Sequence, residues 1–344
     1  MRGNDPYIFD TEGNQQKLTS AQANKVIQKT FMSVLHLSDE DMKSRVKRNR
    51  AIKKYGMDLF EVIEEDVDFY VNQGFMESEW FNALVDSRNI ALGDATEFYA
   101  EDNSLFVVAD VSGDNHDITM QQLPQGKPYM VQPTAHAVKI GKDIDLIILG
   151  RIDYQKMILR IAASFVSDVQ KISYDEIGEA VKQLPGGEAF VKTGELSNST
   201  KDKFDELIEN VSAANASDVV IYGTKTALKK IGNFYNGAVD WVADSQKETL
   251  ASTGVLGTYE GTPMVVVPQR FKVGTYERLF DDTKIYVLPV VEDKFIKFVD
   301  EGETEIVESA EKGDHQDDFQ TYEVQRRYGV AAVLGRIFGQ WAIG

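Results

Sequence analysis

The chain of 344 residues contains no cysteine. Disulfides, thiolate catalysis and zinc sites of the cysteine type are therefore excluded. Histidine is scarce as well. His36, His116, His136 and His315 are the only four, and no two stand at the i, i+4 spacing of a helical metal pair. No apolar run approaches the roughly 20 residues needed to span a bilayer. The opening "MRGNDPYIFDTEGNQQ" has no apolar segment behind Arg2, so it does not read as a signal peptide. The expectation is a protein made and used in a cytoplasm. Positive charge is in deficit: 37 lysines and arginines against 55 acids give a formal net charge of −18. Such a chain does not coat nucleic acid as a whole, because phosphate binding needs local positive charge.

What is present is enough apolar material for a sizeable core, at 42% of residues. The length allows two domains, or one with large excursions. One stretch runs against the acidic balance. "KSRVKRNRAIKK", positions 43–54, holds seven lysines and arginines. The strongly acidic "EVIEEDVDFY" follows at 61–70. The pair suits solvated faces or complementary faces of neighbouring subunits, and its sharper alternative is a local nucleic-acid patch.

Positions 1–30 are polar and weakly patterned, as an extended arm is. A helix is expected from about Ser20 to Leu37. Positions 57–92 carry Phe60, Phe69, Tyr70, Phe75, Trp80 and Phe81 without one clean period. From 97 to 140 the pattern is that of a long hairpin with much polar surface. "SLFVVADV" forms one strand, and "YMVQPTAHAVKI" forms the other, with His136, Val138 and Ile140 on one side. Pro133 keeps the second strand from the middle of a sheet. A hairpin of this kind is marginal alone and needs a surface to lie on.

The clearest helix lies in "DLIILGRIDYQKMILRIAASFVSDVQKI". Ile158, Ile161, Ala162, Phe165, Val169 and Ile172 form one stripe, with Met157, Leu159 and Val166 behind it. A separate helix "SYDEIGEAVKQL" is expected next, opened by a Ser173–Glu176 capping box and striped by Ile177, Ala180, Val181 and Leu184. From 199 the texture is α/β. Ser199 caps a helix bearing Phe204, Leu207, Ile208 and Val211. "DVVIY", "PMVVVP", "KIYVLPV" and "KFIKFV" are strands, and Leu228, Ile231 and Tyr235 share a helix face. Positions 300–318 hold nine acids and one lysine, which predicts a solvated loop.

The end, "QRRYGVAAVLGRIFGQWAIG", fits two periods. Val330, Leu334, Ile337, Phe338 and Trp341 align at helical spacing. Tyr322, Val324, Tyr328, Val330, Ala332 and Leu334 align at strand spacing.

Catalytic and binding motifs are weak. "YGTKTAL" places Lys225 after Gly223-Thr224, but a phosphate loop needs G-x-x-x-x-G-K-[ST], and Thr224 reads better as a helix cap. Ser44 with Lys47 fits S-x-x-K and Lys192-Thr193-Gly194 fits K-T-G, yet the S-D-N partner is missing. "GDNHDI" (113–118) and "GDHQDD" (313–318) set a histidine among carboxylates, a composition that turns also favour. No catalytic, cofactor or metal residue is assigned, and the chain does not read as an enzyme.

The order of arm, long hairpin, long helix and α/β segment resembles that of major capsid proteins of tailed bacteriophages. The echoes lie mainly in 140–344. "QKMILRIAASFVSDV" resembles their spine helix, and "DVVIYGTKTALKKI" a strand and helix of their axial domain. "TYEGTPMVVVPQ" resembles a G-T-P strand of that family, and "DDTKIYVLP" with "YEVQRRYGVAAVLG" its closing strands. The resemblance implies an α+β fold of the Hong Kong-phage type. Its parts would be an N-terminal arm and helical segment (1–95) and an extended hairpin loop (96–140). A peripheral domain with the spine helix and a β-sheet would comprise 141–187 and 291–344, and an α/β axial domain 188–290.

It also implies a structural protein that self-assembles as hexamers and pentamers into an icosahedral virion shell, in the host cytoplasm. The shell would enclose double-stranded DNA without sequence-specific binding, and no membrane is involved. A portal and decoration proteins are further implied partners. Met1 and the lack of a long charged prefix point to a separate scaffolding protein. On this view the basic stretch 43–54 meets a neighbour's acids. The terminal run is then a strand over Phe319–Leu334, because Gly329, Gly335 and Gly339 each cost a helix about 1 kcal/mol. Arg336 to Gly344 tucks a buried Trp341 against the subunit or its neighbour. Two other readings remain: an encapsulin-type cellular compartment shell, and an unrelated α/β enzyme with an inserted hairpin.

Overall fold

The computed structural model describes residues 7–9, 15–17, 20–76, 78–94, 96–100, 127–141, 148–149, 153–184, 187–235, 257–272, 275–291, 294–309, 321–332 and 335–344. The predicted strand at 104–111 and the motifs around His116 and His315 lie outside these residues. Along the chain come β1 (Tyr7–Phe9), β2 (Gln15–Lys17), α1 (Ser20–Val34), α2 (Arg45–Met76), α3 (Glu79–Leu84), β3 (Val85–Ile90) and β4 (Glu97–Ala100). Then follow β5 (Lys127–Met130), β6 (Thr134–Gly141), α4 (Tyr154–Val181), β7 (Val191–Thr193), α5 (Lys201–Asn215), β8 (Val219–Thr224) and α6 (Lys225–Lys229). The last elements are β9 (Thr258–Tyr259), β10 (Thr262–Val267), β11 (Lys284–Pro289), β12 (Ile296–Ser309), β13 (Thr321–Ala332) and β14 (Gly339–Ala342). Among the described residues no helix is long and apolar enough to cross a membrane.

The chain forms two compact units. The first comprises Met1–Glu77, Pro133–Asp168 and Glu301–Tyr328; the second comprises Ser78–Gln132, Val169–Asp300 and Gly329–Gly344. In the first unit, β1 pairs antiparallel with β2. Helix α1 starts at Ser20, as expected, and buries Phe31 and Leu35. The Phe31 ring meets Tyr154 edge to face at 4.9 Å. Residues 57–92 lack one period because they run from α2 through the short α3 into β3. Helix α2 kinks at Tyr55 (φ −123°, ψ 17°). Beyond the kink, Leu59, Ile63, Val67 and Val71 recur every four residues and are all buried. The strand segments of this unit lie in the order β12-β13-β6, with β13 antiparallel to β6. Pro133 precedes β6, the outer strand of that order. The single strand expected over 129–140 is thus two: β5 ends at Met130 and β6 starts at Thr134.

Two further expectations are corrected here. The two helices predicted across 154–184 are one, α4. Ser173 is not a cap: its hydroxyl donates to the Val169 carbonyl at 2.8 Å, satisfying the side chain inside a continuing helix. The solvated loop predicted over 300–318 is strand as far as Ser309, and 310–318 lies outside the described residues. Glu303, Glu305 and Val307 are exposed, while Thr304 is buried. A half-buried strand accepts acids on its wet face, which the composition hides.

The second unit is built on a six-stranded sheet of order β7-β14-β11-β8-β10-β9. Strands β8 and β10 are parallel, β11 is antiparallel to β8, and β14 lies between β11 and β7. Phe204, Leu207 and Val211 of α5 join Ile221, Ile285, Val287 and Trp341 in one core. Ser199 is not the cap: Thr200 stands at the N-cap of α5, and Ser197 caps the short turn before it. The Ser197 amide donates to Thr200 Oγ1 at 3.1 Å, within a short turn that leads into α5. The strand reading of the terminal run holds, with β13 ending at Ala332. The last residues then form β14, and Trp341 is fully buried. Its Nε1 donates to the Gly194 carbonyl at 2.9 Å, and its ring meets Phe204 at 5.6 Å. Gly339 sits where a Cβ would come within 2.9 Å of Leu207 Cδ1, so close strand–helix packing requires glycine there.

Candidate functional site

Strands β4 and β5 of the second unit form a two-stranded ribbon. The strands pair antiparallel, Phe98 opposite Tyr129 and Glu97 opposite Met130. Phe98 is buried with Val131 and Val299. The Arg88 guanidinium lies 4.2 Å from the centre of its ring and Lys297 Nζ 5.4 Å. Lys297 is buried, and its ammonium donates to Asp86 Oδ2 at 3.1 Å. Paired charge makes such burial tolerable, and two cations near one ring fix its position. The opposite face of the ribbon carries Glu97, Tyr99, Pro128 and Met130, all exposed. Tyr99 and Met130 keep 57% and 58% of their surface. Among the described residues the ribbon therefore has a fixed inner face and an outer face on which Tyr99 and Met130 stay exposed.

Polar contacts brace the first unit. Buried Arg326 reaches Asp68 and the Thr304 hydroxyl, and Thr304 donates from its hydroxyl and its amide to Asp68. The Ile306 amide donates to Glu64 Oε1 at 2.6 Å. Burial pushes the Glu64 carboxyl up despite that bond. The Tyr328 hydroxyl donates to Asp168 at 2.7 Å, and His136 stacks on the Tyr328 ring with centres 4.0 Å apart. His136 Nδ1 lies 3.2 Å from the same carboxylate. Tyr154 donates to Asp66 at 2.8 Å.

The weak motifs acquire structural roles. Thr224 caps α6 by accepting the Ala227 amide at 3.3 Å, as expected. Its hydroxyl donates to Asp282 at 2.6 Å, and Gln269 Nε2 donates to the same oxygen at 3.1 Å. Arg278 completes the cluster. A Cβ on Gly223 would come within 3.1 Å of Leu228, so the turn is filled by packing and not open to phosphate. Lys47 pairs with Asp41, and Lys192 with Glu206. Neither lysine is free to activate a serine. Among the described residues no histidine and acid group could hold a metal ion. The residues that sequence reasoning missed are Phe98, Arg88 and Lys297. They are far apart in sequence, and their only local signal is the alternation around Phe98.

The described residues form a mixed helix and sheet fold with a long helix and a sheet-based second unit. Residues 7–342 match the family described as "SPbeta prophage-derived putative capsid protein YonB". The chain belongs to that family, and it is a capsid shell protein. No curated protein sequence matches it. Among solved structures it is similar to a virus-like particle from Pyrococcus furiosus, with 12% identity, a TM-score of 0.46, and coverage of 82% of this chain and 99% of that one. It is also similar to the satellite phage P4 procapsid with its size determination (Sid) protein: 10% identity, TM-score 0.48, 80% and 91% coverage. The SrpI encapsulin of Synechococcus elongatus gives 13% identity, TM-score 0.39, and 76% and 86% coverage.

Proposed function

We propose that the chain assembles as hexamers and pentamers into an icosahedral bacteriophage shell that encloses double-stranded DNA and acts as no enzyme. Its place is the virion, with assembly in the host cytoplasm on a separate scaffolding protein and around a portal. In this reading the arm and helical segment is 1–95, the extended hairpin loop 96–140, the peripheral domain 141–187 with 291–344, and the axial domain 188–290. The family match over nearly the whole chain carries the reading. The uncovered outer face of the ribbon supports it, because Tyr99 and Met130 need a second copy to lie against. Electron microscopy of the expressed full chain, with and without a co-expressed scaffold, tests the proposal. Closed shells of hexamers and pentamers are expected. A chain that stays monomeric at micromolar concentration in both preparations overturns it, and small shells loaded with a host enzyme move it to a cellular compartment.

A further inference from the structure

In the sequence, the basic stretch 43–54 has a ready complement in the acids of 61–68. The structure takes most of that complement away. Asp66 accepts from Tyr154, Asp68 from Thr304 and Arg326, and Glu64 from the Ile306 amide, all within one copy. Three of the five carboxylates in 61–68 are thus engaged at home and are poor partners for a neighbour's cations.

Of the exposed cations Lys47, Arg50, Lys53 and Lys54, only Lys47 has a carboxylate partner among the described residues, and the other three remain available. Positions 45–54 are the first turns of α2. Arg48 and Ala51 turn inward and are buried. Lys47, Arg50, Lys53 and Lys54 are exposed. At 100° per residue these four fall within an arc of about 120°. Lys47 has Asp41 as a partner at its end of the strip. Lys54 rests over the Tyr55 ring at 4.7 Å. Among the described residues no carboxylate pairs with Arg50, Lys53 or Lys54, although the chain carries 55 acids. A chain with so large a surplus of acid that leaves one cationic strip unneutralised has a polyanion outside itself as the natural complement. Seven residues of helix rise roughly 10 Å, which spans about three phosphates of one strand. Val46, 71% exposed, is a lone apolar side chain on this face and not a patch.

We propose that the face of α2 bearing Lys47, Arg50, Lys53 and Lys54 binds the phosphate backbone of duplex DNA without reading its sequence. The inference rests on the shell reading, which gives the protein DNA to enclose. Contact is confined to this strip, and the acidic remainder of the wall keeps the enclosed DNA loosely held.

The test is a titration of a short fluorescent duplex with the full chain at several salt concentrations, read by anisotropy, alongside electron microscopy of shells. The variant carries Lys47→Gln, Arg50→Gln, Lys53→Gln and Lys54→Gln. Each lost phosphate contact removes about 0.9 from the slope of log affinity against log salt, so with about three phosphates the variant should lose roughly 3 units of slope. The control, Lys203→Gln with Lys229→Gln, should keep the wild-type slope. An unchanged slope in the fourfold variant overturns the inference. So does a variant that keeps its thermal transition but no longer forms shells, since the strip is then a contact between copies. If the wild-type chain forms no shells at all, the shell reading fails by itself, and the titration still decides the DNA contact.

Discussion

Asp66 and Asp282 show how the surroundings of a carboxylate can lead to opposite pH behaviour. Burial pushes the Asp66 carboxyl up, and the single Tyr154 hydroxyl does not restore it. At Asp282 burial also pushes upward, but hydrogen bonds from Thr224, Arg278 and Gln269 outweigh it and hold the carboxyl below the usual range. The folded pKa of Asp66 lies above its unfolded value, so folding favours its protonated form. Its contribution is fully present below the unfolded value of about 3.9 and is lost as pH rises through the folded value. For Asp282 the contribution is present above the unfolded value and is lost as pH falls through the folded one. Asp66→Asn should therefore raise the urea midpoint at pH 7 and lose that advantage near pH 4. Asp282→Asn should lower the midpoint at pH 7. Urea unfolding at the two pH values checks both, and an Asp66→Asn protein less stable than wild type at pH 7 contradicts the account.

At the scale of elements, β14 is the strand on which the second unit closes. Trp341 fills the space between the sheet and α5, touching Phe204 and bonding Gly194. Asn215 at the end of α5 ties the approach to this strand: its amide donates to the Ile337 carbonyl at 2.6 Å and its oxygen accepts the Ile337 amide at 3.1 Å. Trp341→Ala should cost about 3–5 kcal/mol, the range for truncating a buried aromatic. Chemical unfolding measures this, and a loss below about 1 kcal/mol would mean that the site collapses around the gap. The burial of Trp341 was legible in the sequence, because three glycines weigh against a terminal helix. That its strand would lie between β7 and β11 was not, since such pairing joins segments about 50 to 150 residues apart. The stripe of α4 was legible for the same local reason. The break expected at Ser173 was wrong because a serine can cap or bond back one turn, and only packing chooses. The period of α2 was hidden because the aromatics of 57–92 are spread over α2 and α3, while its buried stripe is aliphatic, and β12 was hidden by the acids on its exposed face. Of the ribbon's base, alternation around Phe98 was visible, but Arg88 and Lys297 are brought to it by the sheet.

For the whole molecule, the proposed shell gives the two faces of the ribbon different tasks. Its inner face is fixed by Phe98, Val131 and Val299 and contributes to the second unit. Its outer face contributes nothing to a single copy, because Tyr99 and Met130 remain exposed. Covering such side chains against a neighbour is worth about 1.5–3 kcal/mol for each fully buried. In the proposed shell every copy gives and receives this contact, so a loss of this size repeats at each subunit. Tyr99→Ser with Met130→Ser should leave the thermal transition of the chain within a degree or two, since exposed substitutions away from special features change stability by roughly 0.5 kcal/mol or less. The same variant should sediment as free subunits or small oligomers under conditions where the wild type forms shells. Phe98→Ala provides the contrast, because it removes the buried side and should lower the thermal transition together with assembly. Wild-type shells in normal yield from the Tyr99/Met130 variant would mean that the outer face of the ribbon meets no neighbour. The contact that closes the shell would then have to lie on another surface of the chain.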